Sequence, residues 1–297
     1  MRNGRGSRGV FGRKRREPLR GGSVTGRSLY LSDGANAPVV RRDGPSVWIE
    51  RKGSAGQRVP ARLLGRVVII GNIRLDAEAL TLFTESDIPV IFLNRRAEES
   101  AVAMSYNHRL PGLYESQRAL ADDPAKAGRY RQWAQLWRER LQHGILRRLY
   151  KPISPQFRAG VKESDYQEVI SYLKPNDEEK WAVVSDFVNN LMRGIILERI
   201  IKVGLDPHPG IIHRTHLFGF ALDMCYILGA ETDCQCVQFF RSSINAPALD
   251  HNYRISGLTE SAVKNLVHRF ENKRIAIQVL IRDIINEFMD MLPAGRQ

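Results

Sequence analysis

Two apolar helical stretches joined by a short loop constrain the fold of this chain most strongly. The first stretch, residues 191–201, leads to Gly204, a residue that can adopt the left-handed conformation that often ends a helix. Two prolines follow within five residues and prevent the helix from restarting at once. The second apolar stretch covers residues 218–228. The pattern therefore predicts that His213, in the loop, and Asp223, in the second stretch, lie close together near two helix ends.

A histidine beside an aspartate has two interpretations at this stage. The pair can help to hold a divalent metal against a phosphate group. It can equally be a core histidine with an aspartate that caps a helix, since metal sites usually need three protein ligands. Spacing alone leaves both interpretations of His213 and Asp223 open.

The loop region also carries a family resemblance. Residues 204–207 (Gly-Leu-Asp-Pro), 210–213 (Gly-Ile-Ile-His) and 220–224 (Phe-Ala-Leu-Asp-Met) resemble the GLDPxxGFLH and SLALDLME signature of the CRISPR-associated spacer-integrase family, called Cas-one. The resemblance implies a metal-dependent DNA endonuclease and integrase that inserts new spacers into CRISPR arrays. It also implies a Mg²⁺ or Mn²⁺ cofactor that stabilises the charge developing on the phosphate.

The N-terminal third of the chain has short apolar segments separated by turn residues. Val39 to Ile49 reads as a hairpin about the Asp43–Gly44 turn, and residues 66–71 and 88–93 read as buried strands. These segments are similar, in the same order, to the N-terminal domain of the spacer-integrase family. The later residues have helical periodicity, with helices expected at 130–150, 163–173, 181–203 and 259–292.

These patterns predict an α+β multidomain chain, in which a β-rich N-terminal domain precedes a larger all-α domain. The expected parts are a disordered Arg/Gly-rich arm at 1–28, a β-rich dimerisation domain at 29–104, a linker at 105–127 and an α-helical DNA-binding, catalytic-type domain at 128–297.

Positive charge is concentrated in the arm. Residues 1–28 contain nine basic residues and one acid, and they supply +8 of the formal net charge of +13. Such an arm binds nucleic acid phosphates without reading sequence, and the alternative is a solubilising extension. The arm contributes four predicted DNA contacts: Arg13, Lys14, Arg15 and Arg16. A basic helix face contributes Arg138, Arg147 and Arg148, although such a face is often only solvated.

The family's metal ligands carry over only in part. The resemblance assigns His213 and Asp223 as metal ligands and as catalytic residues, but the acid expected three residues after Asp223 is replaced by Tyr226. The glycine-framed glutamate segment of the family is also missing, so Glu168, or failing that Glu163, is the candidate third ligand. A site rebuilt with His208 is conceivable, whereas a solvent-facing role for that histidine is the simpler interpretation.

The sequence therefore predicts a spacer-integrase homologue of weak or absent activity, and the alternative is a non-catalytic DNA-binding dimer that acts as a scaffold. An RNA-binding protein is a third interpretation, without any RNA-recognition signature. The resemblance implies a homodimer through the β-domain and a small ferredoxin-like CRISPR-associated partner. Three cysteines and the lack of a long apolar run predict a cytoplasmic protein that does not enter a membrane.

Overall fold

The computed structural model describes residues 26–33, 36–94, 98–149, 161–242 and 258–293. Four predicted DNA contacts lie outside the described residues: Arg13, Lys14, Arg15 and Arg16. The boundary of the arm differs from the expected one, because the first strand begins at Arg27. The carbonyl of Gly26 also accepts a hydrogen bond from Arg274 Nη1 at 2.7 Å, which fixes the start of this strand against the C-terminal helix.

Two four-stranded sheets form the N-terminal part of the described chain. The strands are β1 (Arg27–Ser32), β2 (Val39–Asp43), β3 (Ser46–Glu50), β4 (Gln57–Pro60), β5 (Leu64–Ile70), β6 (Arg74–Leu75), β7 (Val90–Leu93) and β8 (Glu99–Ala103). One sheet has the order β1-β5-β7-β8 and the other β4-β3-β2-β6. In the first sheet only β7 and β8 pair antiparallel, while β1, β5 and β7 run parallel. A helix, α1 (Ala77–Glu85), connects the sheets between β6 and β7.

The predicted hairpin is confirmed. Strands β2 and β3 pair antiparallel, with Asp43 opposite Ser46 and Val40 opposite Ile49. Gly44 in the turn has a φ of 60°, which a residue without Cβ adopts at little cost.

Strand β5 lies between two packing layers, and all seven of its residues are buried. Because successive side chains point to opposite faces, Val67 and Ile69 pack in the cluster between the two sheets. Val68 and Ile70 pack in the cluster formed with the helices. The β-rich part is therefore packed directly against the helical part, and the predominantly apolar sequence of this strand follows from burial on both faces.

Six helices follow the strands in the described residues. They are α2 (Pro111–Asp122), α3 (Pro124–Leu149), α4 (Glu163–Leu173), α5 (Glu178–Lys202), α6 (Gly219–Arg241) and α7 (Glu260–Met291). The expected order of N-terminal strands and C-terminal helices is confirmed. Helix α6 packs against both α3 and α5, which surrounds it with apolar side chains. The loop that carries His213, residues 203–218, lies between α5 and α6.

The segment 105–127, expected as a linker, is mostly helical. Helix α2 starts at Pro111, where a proline is tolerated because the first helical N–H needs no intrahelical partner. Helix α3 starts at Pro124 rather than near residue 130 for the same reason. Asp123 accepts hydrogen bonds from the N–H groups of Ala125 and Lys126 at 3.0 and 3.1 Å. The Asp-Pro pair that suggests a linker is thus a helix start.

Gly204 ends α5 as predicted. Its φ is +76°, its N–H donates to the carbonyl of Ile201, and the N–H of Leu205 donates to the carbonyl of Ile200. This pair of hydrogen bonds is the Schellman arrangement. A Cβ at Gly204 would lie 2.5 Å from Cγ of Leu110, so the segment before α2 packs closely against the end of α5. Among the described residues, no helix is long and apolar enough to cross a membrane.

Candidate functional site

His213 and Asp223 are in direct contact, as the sequence predicts. Asp223 projects from the start of α6 and is fully buried. Its Oδ2 accepts hydrogen bonds from the N–H groups of Ile211 and Ile212 at 2.7 and 3.1 Å. Its Oδ1 accepts from the N–H of His213 at 2.9 Å and from the same residue's Nδ1 at 2.8 Å. The aspartate therefore holds the loop in shape and orients the imidazole.

This arrangement fixes the tautomer of His213. A carboxylate oxygen can only accept, so Nδ1 carries the proton and Nε2 keeps its lone pair when the ring is neutral. Metal-binding histidines commonly donate their second nitrogen to a carboxylate in this way. Burial, reinforced by the charge of Asp223, also raises the pKa of Tyr130 well above its usual range, so this phenol stays neutral.

Two glycines allow the loop to approach α6 closely. A Cβ at Gly210 would lie 2.5 Å from the backbone of Gly219, and a Cβ at Gly219 would lie 2.4 Å from the carbonyl oxygen of His213. Phe218, directly before α6, has a φ of 58° and stacks on His208 with ring centroids 4.6 Å apart. These close contacts place the loop where Asp223 can reach three successive N–H groups.

Tyr226 occupies the position that resembles the family's second acid. Its hydroxyl donates to Oε1 of Gln135 at 2.9 Å. The guanidinium carbon of Arg138 lies 4.5 Å from the centre of its ring, and the ring of His213 lies 6.4 Å away. The space beside the imidazole is therefore filled by a neutral aromatic side chain that also contacts a cation.

The candidate glutamates of α4 are directed elsewhere. Glu163 forms an ion pair with Arg138 at 2.8 Å and accepts from Gln142 at 2.6 Å. The hydrogen bond from Arg138 is the main reason that the pKa of Glu163 falls to about 2, although partial burial opposes the shift. Glu168 is exposed on α4. Within the described residues, the single group of three metal-ligating side chains within 4.8 Å is His108, Asp206 and His208, so the predicted trio is not brought together.

The predicted basic face of α3 divides into bound and available arginines. Arg138 is 13% exposed and is held by Glu163 and by the carbonyl of Tyr226. Arg148 pairs with Glu231 at 2.5 Å. Arg147 is exposed and forms no ion pair with a described residue. Three further arginines of α3 are exposed: Arg129, Arg131 and Arg140.

A cavity of about 550 Å³ opens beside His213 and Tyr226. Glu98, before β8, and Asp186, on α5, lie on its wall. Burial raises the pKa of Asp186, and the charge of Glu98 on the same wall adds to the shift. Sequence reasoning missed both acids because no local pattern links a loop between two strands to the middle of a helix.

The comparisons with known proteins agree with this architecture. Residues 34–156 match the family model described as CRISPR associated protein Cas1. This match covers 123 of the 297 residues of the chain. No curated protein matches the chain.

Three solved structures share the fold of this chain. A CAS1 protein from Thermotoga maritima is 17% identical, with a TM-score of 0.68 over 88% of this chain and 96% of that one. A casposase bound to integration product is 14% identical, with a TM-score of 0.62 over 83% and 82% of the two chains. A chain of a Cas6-RT-Cas1–Cas2 complex is 14% identical, with a TM-score of 0.65 over 92% of this chain and 36% of that one.

Proposed function

We propose that this protein, as a member of the Cas1 family, binds DNA in the manner of a spacer integrase and transfers DNA strands weakly or not at all. One observation carries the second part of the proposal. Tyr226 stands where the family resemblance calls for an acid, and its ring contacts both His213 and Arg138. A hard cation such as Mg²⁺ prefers carboxylate oxygens, and a neutral phenol offers a poor substitute.

The residues around His213 do not fit the metal site that the family resemblance implies. Asp223 uses both carboxylate oxygens to hold the loop, which suits a positioning role rather than direct coordination. Glu163 is neutralised by Arg138, and Glu168 is exposed on another helix. His213 is the one predicted ligand that keeps a lone pair for an ion, and one neutral imidazole holds Mg²⁺ poorly.

Available positive charge near His213 supports DNA binding. Arg131 lines a second cavity of about 650 Å³ that shares Tyr226 with the cavity of His213. Arg147 is also exposed, but it lies about 4.4 turns further along α3 and on the opposite side of the helix. Phosphate groups are bound by arginines that are free to form bidentate contacts. Arg131 therefore supplies positive charge beside the site, where a DNA backbone can lie.

The similar structures support the same function and partners. One of them is a casposase bound to integration product, and another belongs to a complex that contains Cas2. By this likeness we propose DNA as the ligand and a Cas2-type protein as a partner. From the family resemblance of the sequence we propose a homodimer formed through residues 29–104 and a small, ferredoxin-like fold for that partner.

A second candidate function, metal-dependent strand transfer, is favoured by the two missed acids. Glu98 and Asp186 line the same cavity as His213, and burial together with the charge of Glu98 raises the pKa of Asp186. If a ligand draws them toward the imidazole, they would supply the two negative charges that Tyr226 and Glu163 do not.

A strand-transfer assay separates the two functions. The full chain is incubated with branched DNA and Mn²⁺, beside His213→Ala and the double variant Glu98→Gln/Asp186→Asn, while anisotropy reports DNA binding. We expect DNA binding in all three proteins and at most weak strand transfer by the unaltered chain. Robust strand transfer by the unaltered chain that both variants abolish would establish the second candidate and overturn the first. Loss of DNA binding by the unaltered chain would overturn both.

The dimer proposal has its own measurement. Light scattering at micromolar concentration should give twice the mass of the 33.8 kDa chain. A monomer would remove the dimer from the proposal and leave the DNA-binding claim intact.

A further inference from the structure

We propose that His108, Asp206 and His208 form a metal site for a borderline transition metal such as Zn²⁺, separate from His213. His108 comes from the segment before α2, and the other two residues come from the loop after α5. Their ligand atoms all lie within 4.8 Å of one another. The site would join two segments that are almost a hundred residues apart in sequence.

His108 is already arranged as a metal ligand. Its Nδ1 lies 2.9 Å from the carbonyl oxygen of Ser105, and a carbonyl can only accept, so Nδ1 carries the proton. The lone pair is therefore on Nε2, which is buried and has no hydrogen-bond partner among the described residues. A buried polar atom without a partner is rare, and donation of Nδ1–H to a backbone carbonyl is the usual support of a metal-bound histidine.

The unpartnered nitrogen faces a fixed carboxylate. Nε2 of His108 lies 3.9 Å from Oδ1 of Asp206, and Asp206 is fully buried. The backbone of Asp206 is held on both sides by Gln117, which donates to its carbonyl at 2.9 Å and accepts from its N–H at 2.8 Å. The oxygen thus has a defined position toward the imidazole.

His208 completes the group from the solvent side. Its Nδ1 lies 2.7 Å from Oδ1 of Asp206, and its side chain is 41% exposed. Tetrahedral zinc with bonds of about 2.0–2.2 Å separates neighbouring ligand atoms by roughly 3.3 Å. A small rotation of His208 away from the aspartate and a small approach by His108 bring both distances to that value. The ion replaces the proton on Nδ1 of His208, and the neutral ring then carries its proton on Nε2.

The donor set indicates which metals bind. Two neutral imidazoles and one carboxylate oxygen favour Zn²⁺, Co²⁺ or Ni²⁺ over Mg²⁺. Arg109 pairs with Oδ2 of Asp206 and also lies 3.9 Å from the ring of Tyr114. The arginine therefore occupies the oxygen that the ion does not need and keeps the carboxylate in place, while its charge lowers the affinity of the site. The fourth position, beside the half-exposed His208, is open to a water molecule.

Cobalt binding to the full chain tests the site with a readout independent of catalysis. Chelator-treated protein is titrated with Co²⁺, followed by visible absorption, and then with Zn²⁺ in a displacement titration. We expect one equivalent of tetrahedral Co²⁺ that Zn²⁺ displaces. His108→Ala and His208→Ala should each weaken Zn²⁺ binding by more than the roughly 10–100-fold typical of outer contacts. His213→Ala and His216→Ala are matched controls that should leave binding unchanged.

Three results would overturn the proposal. They are a failure of Zn²⁺ to saturate the unaltered chain below the millimolar range, loss of the cobalt spectrum in His213→Ala, and a thiolate charge-transfer band, which would place the ion at a cysteine. Circular dichroism of each variant shows whether it is folded. If His108→Ala unfolds, His208→Phe decides the question, because an aromatic ring keeps the stacking on Phe218 and removes the ligand nitrogen. Zn²⁺ should also raise the melting temperature of the unaltered chain and not that of His208→Ala.

Discussion

Arg66 and Glu198 form an ion pair of 3.0 Å in which both side chains are completely buried. Arg66 belongs to β5 and Glu198 to α5, so the pair joins the β-rich part to the helices. Arg66 also contacts Glu271 of α7 at 2.9 Å, and Lys202 contacts Glu198 at 2.9 Å. The interface between strands and helices is therefore fixed by a polar network within an apolar contact.

Removing one charged partner from this buried network should destabilise the folded protein. Glu198→Gln should lower the free energy of unfolding by about 3 kcal/mol, the lower end of the range for breaking a buried pair, because Glu271 still faces Arg66. Lys202→Met removes the half-exposed partner of the same glutamate and should change stability by about 0–1 kcal/mol. Denaturant unfolding of both variants measures the difference. Equal effects would show that burial of the pair has no energetic role.

The main role of Asp223 should be to stabilise the loop at residues 211–213, rather than to supply negative charge to the site. Asp223→Ala leaves three backbone N–H groups, those of residues 211–213, without their acceptor and should cost about 3 kcal/mol of stability. Hydrogen exchange of these three amides should accelerate. Asp283→Ala, at a half-exposed position of α7, should change stability by less than about 0.5 kcal/mol. Unchanged exchange in Asp223→Ala would show that the loop is held by its packing alone.

The ion pair of Glu163 with Arg138 should make the stability of the protein depend on pH in the acidic range. The pKa of Glu163 is lowered from 4.5 to about 2, first by the hydrogen bond from Arg138. Because the folded pKa is depressed, the stabilisation is fully present above the unfolded pKa of 4.5 and is lost as the pH falls toward about 2. Glu163→Gln should therefore show a smaller loss of melting temperature between about pH 5 and pH 2.5 than the unaltered chain. The same loss in both proteins would contradict the assignment.

Restoring an acid at position 226 should not restore a metal site by itself. Tyr226→Glu places a carboxylate beside Arg138, whose guanidinium now lies 4.5 Å from the ring centre, and this cation should pair with it. We expect no strand transfer on branched DNA and no tighter Mn²⁺ binding by electron paramagnetic resonance. Tyr226→Phe, which removes the hydrogen bond to Gln135 alone, is the control for packing. Robust strand transfer by Tyr226→Glu would show that one acid is sufficient.

The arginines of α3 should differ in their effect on DNA binding. Arg147→Gln removes an exposed charge without an ion-pair partner among the described residues, and the slope of log affinity against log salt should become shallower by about 0.9 if it contacts a phosphate. Arg138→Gln should leave the slope unchanged and lower stability, since Arg138 is engaged by Glu163 and Tyr226. Fluorescence anisotropy at several salt concentrations makes this comparison. A shallower slope for Arg138→Gln would place that residue on the DNA surface.

The N-terminal arm is tested in the same way. Deletion of residues 1–25, which leaves β1 intact, removes eight basic residues and one acid. Each of these basic side chains that binds a phosphate adds roughly 0.9 to the salt slope, so the deletion should make the slope shallower in proportion to their number. An unchanged slope would show that the arm does not contribute to DNA binding.

Short-range patterns in the sequence determined much of the local structure of this protein. The turn at Gly44, the left-handed Gly204, the period of α4 and the contact between His213 and Asp223 all follow from residues near one another in the chain. Hydrophobic periodicity and turn residues act over short distances along the chain, so they can be recognised before the fold is known. The interpretation of two prolines as signs of a linker was wrong, because Pro111 and Pro124 begin helices.

Tertiary structure alone decided which charged residues meet. The sequence contains Arg138, Glu163 and Tyr226 on three different helices, and only packing places them in one cluster that withdraws Glu163 from His213. It likewise brings Glu98 to Asp186 and His108 to Asp206. A side chain's partners depend on distances between elements, which no short-range pattern encodes. For this reason the sequence indicated the family and the loop, and the packing of the helices decided which ligands a metal ion would find.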